Sequence, residues 1–353
     1  MLLEETFMKK KLLSAITVIA MALSLTACVG GNASGSQASS GAAASSAAAT
    51  SAAASSAAAG DKTYNVGVIQ LVQHVALDAA TEGFKKALTD KLGDKVKITV
   101  ENASGDLPTC STIANQFSSE KVDLIMANAT PALQAAQAAT STIPIVATSI
   151  TDYGTALKIT DWKGATGINI TGTSDLAPLD GQADMIKELF PNAKEVGIIY
   201  CSAEANSVYQ AEAITENLKK LGYNVKPYTF SDSNDVASVT KAACDASEVL
   251  YVPTDNTAAS CAETINNVAL TAKTPIVAGE EGICKGCGIA TLSISYEDIG
   301  YSAGLMAYEI LVNGADPATT KIQYASKFTK EYNEAIAKQL GIKIPSDYVA
   351  IKN

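Results

Sequence analysis

The sequence predicts an α/β protein made of two doubly wound, parallel-sheet lobes joined by a hinge. Three observations lead there. Short apolar runs rich in Val and Ile recur at regular spacing. Helix-length amphipathic stretches separate them. The series of about four strand–helix units then occurs a second time, after a break near Ile168–Asp180. Runs this short and this apolar read as strands buried on both faces. Strand–helix alternation implies parallel sheets with right-handed crossovers.

Taken in order, the first lobe opens with "YNVGVIQ" (64–70), "VKITVENA" (96–103), "VDLIMANA" (122–129) and "IPIVATSI" (143–150), and "GATGINI" (164–170) follows. The second has "EVGIIYCSA" (195–203), "NVKPYTF" (224–230), "EVLYVPTD" (248–255), "PIVAGEE" (275–281) and "IATLSI" (289–294). Helical spacing appears at Leu77, Phe84, Leu88 and Leu92, and again in "SVYQAEAITENLKKLG", which stops at Gly222. "TPALQAAQAAT" places Pro131 at a first helical position, where a missing N–H costs nothing. "YEDIGYSAGLMAYEILVNG" (296–314) fits a long helix returning to the first lobe, and "FTKEYNEAIAKQLGI" closes the second. The expected division is 61–168 plus 295–318 for one lobe and 169–294 plus 319–353 for the other. About 290 residues suit two domains at about 150 each.

The N-terminus reads as an address. "MKKKLLSAITVIAMALSLTAC" has a lysine cluster, an apolar stretch and small residues ending at Cys28, the layout of a secretory signal over 1–27. Leu25-Thr26-Ala27-Cys28 resembles a lipobox, so Cys28 is expected to carry a lipid. Residues 28–60 are almost entirely Ala, Ser and Gly and cannot form a core, so they read as a tether. At roughly 5–6 Å times the root of its length, the tether spans about 30 Å. The expected location is the outer face of the cytoplasmic membrane, anchored by lipid.

Charge narrows the function. The chain carries −10 and a light charge density of 18%. Removing a leader with three lysines and two glutamates leaves the rest slightly more acidic. An acidic surface argues against nucleic acid. There is no arginine, so a bidentate anion clamp is unavailable. Any bound anion must be held by backbone N–H groups, hydroxyls, amides or lysine.

In open α/β sheets ligands lie at the carboxyl ends of the strands. The residues there are hydroxyls, amides and carboxylates, and no GxGxxG follows any strand. The candidate ligand contacts are Gln73, His74, Ala129, Thr130, Thr148, Thr151, Asp152 and Asn169 from the first half. From the second they are Ser202, Glu204, Asn206, Ser207, Thr254, Asp255, Asn256, Glu280 and Glu281. No catalytic, metal or cofactor residue is expected: no GxSxG elbow and no HExxH occurs.

"ANATPALQAAQ", "TSITDYGTAL", "NITGTSD", "YCSAEANS", "VPTDNT" and "AGEEGICKGCGIATLSISYEDIGYSAG", in that order, resemble the ABC-transporter substrate-binding lipoproteins whose characterised members bind tryptophan, tyrosine or phenylalanine. The resemblance runs from Thr63 to the C-terminus. It implies a type I periplasmic-binding clamshell, a small-molecule ligand in the cleft, and a membrane permease with its ATPase subunits as partners. A monomer is expected. The pattern departs at Gln73 and Val75, where the family has an acidic residue and a proline beside the histidine, and at Tyr153, where it has proline.

For a zwitterionic ligand, Asp255 and Glu204 are the expected ammonium partners. Thr130, Ser202, Ser207 and helix N-termini suit the carboxylate. Asn206 and Asn256 serve either end, and Tyr153 or Leu71 the aromatic slot. Each of these types also caps helices after strands. His74 is read as a ligand contact or pocket-shaping residue, with a structural cap as the competing role and catalysis set aside. Cys284-Lys285-Gly286-Cys287 reads as a local disulfide or free thiols rather than a redox centre, and Cys244 and Cys261 are a candidate pair. Other ligand classes remain open in the same fold (a branched-chain amino acid, nucleoside or sugar), as does a ligand-sensing adaptor.

Overall fold

The computed structural model describes residues 62–352. The signal, Cys28 and tether lie outside the described residues. Strand and helix alternate as β1 (Tyr64–Gln70), α1 (Val75–Leu92), β2 (Val96–Asn102), α2 (Leu107–Glu120), β3 (Leu124–Asn128), α3 (Thr130–Ala139), β4 (Ile145–Ile150), α4 (Tyr153–Leu157) and β5 (Ile170–Ser174). The second half runs α5 (Leu179–Leu189), β6 (Glu195–Cys201), α6 (Ala205–Lys220), β7 (Asn224–Phe230), α7 (Val236–Cys244), β8 (Val249–Val252), α8 (Asn256–Ser260), α9 (Ala262–Ala272), β9 (Ile276–Ala278), α10 (Glu281–Gly286) and β10 (Ala290–Ser293). The chain then returns through α11 (Tyr296–Asn313) and β11 (Gln323–Tyr324), and ends with β12 (Thr329–Tyr332), α12 (Glu334–Leu340) and β13 (Val349–Ala350).

The strands form two sheets, ordered β11-β5-β4-β3-β1-β2 and β13-β12-β10-β9-β8-β6-β7. Pairing is parallel except between β10 and β12. Each sheet carries apolar side chains on both faces. Phe117, Ile125 and Leu133 pack on one side of the first sheet, and Phe84, Met126 and Met306 on the other. Phe230 and Leu250 belong to one layer of the second sheet, and Ile198 and Ile214 to the opposite layer. Capping explains where several helices start. Asp106 accepts from Thr109 N at α2, Asp152 from Thr155 N at α4, and Ser295 from Asp298 N at α11.

Two boundaries differ from expectation. The fifth strand begins at Ile170, where "GATGINI" ends, because Gly167 takes a φ of +74° that no strand accommodates. β5 also pairs with β4 in the first sheet, through Ile145↔Ile170 and neighbouring pairs. The break between lobes therefore falls after Asp175 rather than at 168/169. Likewise β11 adds to β5 in the first sheet, so residues 319–325 belong with the first lobe and not the second. The chain passes between the sheets three times, after β5, between β10 and α11, and between β11 and β12.

The six cysteines in the described region are all unpaired, which corrects the candidate Cys244–Cys261 bridge. Cys284 and Cys287 are buried in the core of the second lobe.

Candidate functional site between the lobes

The carboxyl ends of both sheets face a common cleft. Backbone strain collects there: Ser104, Ala129 and Ser149 follow or end β2, β3 and β4 with φ of 55°, 89° and 58°. Such conformations in non-glycine residues are costly and cluster at functional sites. Under the first turn of α1, Thr81 Oγ1 donates to Gln70 Oε1, Gln70 Nε2 donates to Asp78 Oδ1, and Asn128 Nδ2 donates to Leu77 O. This network fixes His74 and Leu77 at the rim.

The second lobe contributes a saturated carboxylate cradle. Glu204 at the start of α6 accepts from Asn256 N, Asn256 Nδ2, Thr257 N, Thr257 Oγ1 and Asn206 Nδ2, at 2.6–3.3 Å. Asp255 accepts from Ala258 N at 2.7 Å and Cys201 N at 2.6 Å. Both acids are thus engaged in tying the loops after β6 and β8 together. Each acid therefore spends part of its acceptor capacity on backbone amides of these loops before any ligand arrives. Glu280 similarly caps α10, accepting from Gly282 N and Ile283 N. Replacing Asp255 by Ala is therefore expected to orphan two buried N–H groups and lower stability by about 2–4 kcal/mol. Chemical denaturation without ligand measures this, and an unchanged midpoint would show that the cap is not holding the loops.

The space left between the lobes in this arrangement is about 10 Å³. His74, Leu77, Asp175 and Tyr296 line it from the first lobe and the crossings; Thr254, Asp255, Asn256, Ala259 and Glu280 line it from the second. That is room for about one water, so a ligand enters only when the lobes part. The lobes touch across it. His74 Nε2 lies 3.4 Å from Asn256 Oδ1, and Gln210 Nε2 donates to Thr151 Oγ1 at 3.2 Å. A Cβ on Gly282 would come within 3.3 Å of Val75 Cβ.

Three acids line this cavity and no lysine does. Burial pushes the Asp175 carboxyl up to about 6, partly offset by the Tyr296 and Thr151 hydroxyls. Burial likewise pushes Glu280 up to about 7. Burial, then the neighbouring Glu204, raises Asp255. Burial lowers the His74 imidazole. The lining is electronegative and lacks a counter-charge. Several buried polar atoms also have no partner among the described residues, including His74 Nδ1, Ser149 Oγ and Asn206 Oδ1. A larger hollow of about 140 Å³, bordered by Asp298, Ser302, Tyr324 and Lys327, carries no such atom. Buried unsatisfied groups call for a partner, so the cleft is the candidate site.

The structure sorts the expected residues. His74, Thr254, Asp255, Asn256 and Glu280 line the cavity together. Thr130 is buried at the start of α3, beside the strained Ala129. Asn206 and Ser207 are buried beside Glu204. Thr151 bridges Asp175 and Gln210. Glu281 is half-buried, its N–H held by Ser293 Oγ. Gln73 is exposed.

Five expectations are corrected. Asn169 sits before β5 at the amino end of the sheet, donating to Thr140 O and Ile143 O, away from the cleft. Ser202 is exposed and donates to Phe230 O. Thr148 is locked between strands, accepting from Thr173 Oγ1. Asp152 caps α4. Tyr153, expected at the slot, is buried in the first lobe, donating to Ala147 O or Thr173 O and stacked on Trp162 at 6.3 Å. His74 occupies the N-cap position of α1, but its side chain makes no capping bond.

Asp175, Tyr296 and Gln210 were not anticipated. The same strand-end rule would have found Asp175, since it follows β5. Tyr296 Oη donates to Asp175 Oδ2 at 3.0 Å, and Thr151 Oγ1 donates to Oδ1 at 3.2 Å. Asp175 is the cavity carboxylate that accepts from hydroxyls instead of helix-start amides.

Residues 65–351 match the model of the ABC transporter substrate binding protein family. The tyrosine-binding protein of Clostridioides difficile (strain R20291) is 41% identical over 265 residues, 73% of this chain and 76% of that protein. Among solved structures, an ABC domain in complex with L-Trp from Streptococcus pneumonia is 33% identical, with a TM-score of 0.77 over 81% of this chain and 97% of that one. The ligand-free, open structure of a substrate binding protein with adhesive properties from Clostridium difficile is 36% identical, with a TM-score of 0.63 over 82% and 100%. The lobes here superpose better on the ligand-bound structure despite its lower identity. This arrangement agrees with the contacts across the cleft.

Proposed function

The chain belongs to the ABC transporter substrate binding protein family, and from that premise we propose that it captures one aromatic amino acid between its lobes and delivers it to the permease of an ABC importer. The observation that carries the ligand class is the lining of the cleft, three carboxylates with no cation. Such a lining favours a ligand that brings its own positive charge, as an α-ammonium does. Asp175 receives the ammonium, with Asn206 Oδ1 as a further acceptor. The ligand carboxylate lies toward Ser149, the Thr130 hydroxyl and the start of α3, where the helix dipole favours an anion. That scheme needs no arginine. Leu77, Ala259 and the Tyr296 ring supply apolar surface for a side chain. The tyrosine-binding relative and the L-Trp complex support an aromatic ligand.

Capture is a population shift toward the closed arrangement, and no bond of the ligand changes. Residues 1–27 direct export and Cys28 carries the lipid. Residues 28–60 tether a monomeric binding unit to the outer face of the cytoplasmic membrane, within reach of the permease and its ATPase subunits.

A thermal-shift panel tests the ligand class, using the protein without residues 1–60 against the twenty amino acids, nucleosides and sugars. A ligand at 100 times its Kd adds roughly 2.7 kcal/mol, or about 5–10 °C. The expected shift is confined to aromatic amino acids. A shift with a nucleoside or sugar alone would overturn the ligand class and the role of Asp175.

A further inference from the structure

We propose that Nδ1 of His74 accepts a hydrogen bond from a donor on the ligand's ring, so that the cleft selects aromatic amino acids bearing a polar ring hydrogen over phenylalanine. The inference rests on the aromatic amino-acid reading above and adds which members of that class are taken.

The chain of hydrogen bonds fixes the tautomer. Asn256 Nδ2 lies 2.6 Å from Glu204 Oε2. That oxygen also accepts from Asn256 N, so this end of the amide is the donor. Its other end, Oδ1, is the atom that faces His74 Nε2 across the cleft. Nε2 therefore carries the imidazole proton. The ring is neutral, in keeping with the effect of burial on its basicity. Nδ1 is left with a lone pair, and it is buried without a partner among the described residues. The ring lines the cavity. A buried acceptor without a donor is a standing cost, which the right ligand removes.

Two kinds of donor could meet it, the α-ammonium or a group on the ring. Asp175, Asp255 and Glu280 line the same cavity. A charged donor gains more from a charged acceptor, so the ammonium goes to a carboxylate. The neutral imidazole is left for a neutral donor: a phenol O–H or an indole N–H. Phenylalanine has neither and leaves Nδ1 unpaired. Sites that hydrogen-bond a ligand group discriminate strongly against the analogue lacking it, because the site's own polar atom is then stranded. His74 belongs to the first lobe and Asn256 to the second, so the tautomer is set only when the lobes meet. Closure and selection are thereby linked.

The test is calorimetric titration of the purified chain with tyrosine, tryptophan and phenylalanine, before and after His74→Leu. At least one of tyrosine and tryptophan should bind about tenfold or more tighter than phenylalanine. In the variant the gap should shrink to roughly threefold or less, mainly through weaker binding of the hydrogen-bonding ligand. Because His74 is the chain's one histidine, nitrogen-15 spectra of the unsubstituted protein give a second readout that needs no variant. In the ligand-saturated, closed protein Nδ1 should carry no proton of its own, and its signal should differ between the tyrosine or tryptophan complex and the phenylalanine complex. Equal affinities for all three ligands, an unchanged ranking in the variant, or a proton on Nδ1 of the neutral ring in the phenylalanine-loaded protein would each overturn the inference while leaving aromatic binding intact. Absence of binding by all three would overturn both readings together.

Discussion

Asp175→Asn is expected to weaken binding of the amino-acid ligand by about 100-fold, and to do so without destabilising the empty protein. Breaking one side of a buried charged hydrogen bond typically costs 2–5 kcal/mol, and about 2.7 kcal/mol is 100-fold. Asp175 is 4% exposed, and its two oxygens accept from the hydroxyls of Tyr296 and Thr151. In the empty cleft its charge is a liability, which is why burial raises its carboxyl to about 6 from the ordinary 3.8. The folded protein thus holds this proton more tightly than the unfolded chain does. Its contribution to stability therefore improves as pH falls from about 6 toward 4 and worsens as pH rises through that window. Ligand binding runs the other way, since the ammonium needs the ionised form, so affinity should weaken below about pH 6. Asn keeps the shape and removes both slopes. Titrations across pH 4–8 with tyrosine and with its des-amino analogue separate the effects. If the variant loses the des-amino compound as severely as tyrosine, Asp175 does not contact the ammonium.

That residue also shows where reading the sequence ran out. Strands buried on both faces announce themselves as Val- and Ile-rich runs, and β1, β3, β4 and β6 lie within the expected stretches. β5 is "ITGTS", three of its five residues hydroxylated, so its pattern is weak. The apolar weight of "GATGINI" drew the strand forward, and Asp175 was no longer a strand-end residue. The two-residue β11 has both residues exposed, so nothing in its hydropathy marks it as part of a sheet. The roles of Asp255 and Glu204 were obscured for another reason. A carboxylate after a strand reads identically whether it faces a ligand or the amides of the next helix. Only the positions of Ala258 N, Cys201 N and Thr257 N decide, and those depend on how two loops far apart in sequence meet.

Gly300→Val is expected to have the largest effect on stability, through the packing of α11 on α1. A Cβ at Gly300 would lie 2.0 Å from Ala80 O, and one at Gly83 would lie 2.2 Å from Glu297 O. One turn further on, a Cβ at Gly304 would lie 2.6 Å from Ala87 Cβ. The two helices touch backbone to backbone, and a flexible neighbour cannot yield because the obstructing atoms are main-chain. Valine must push the helices apart, opening the layer in which Phe84, Leu88, Ala303 and Ala307 are fully buried. Overpacking costs 1–3 kcal/mol where side chains can adjust, and more where backbone must move. A loss of about 3–4 kcal/mol lowers Tm by roughly 6–16 °C at this size. Gly300→Ala should fall between the variant and the parent, since its single methyl meets the same carbonyl. The damage should reach the cleft, because α1 begins next to His74 and α11 begins at Tyr296, and both line the cavity. Calorimetric melting and ligand titration of both variants would reveal this coupling. Unchanged melting in Gly300→Val would mean that the helices do not approach as closely as the main-chain contacts require. Lower Tm with intact affinity would mean that the cleft ends of α1 and α11 hold their places independently of the crossing.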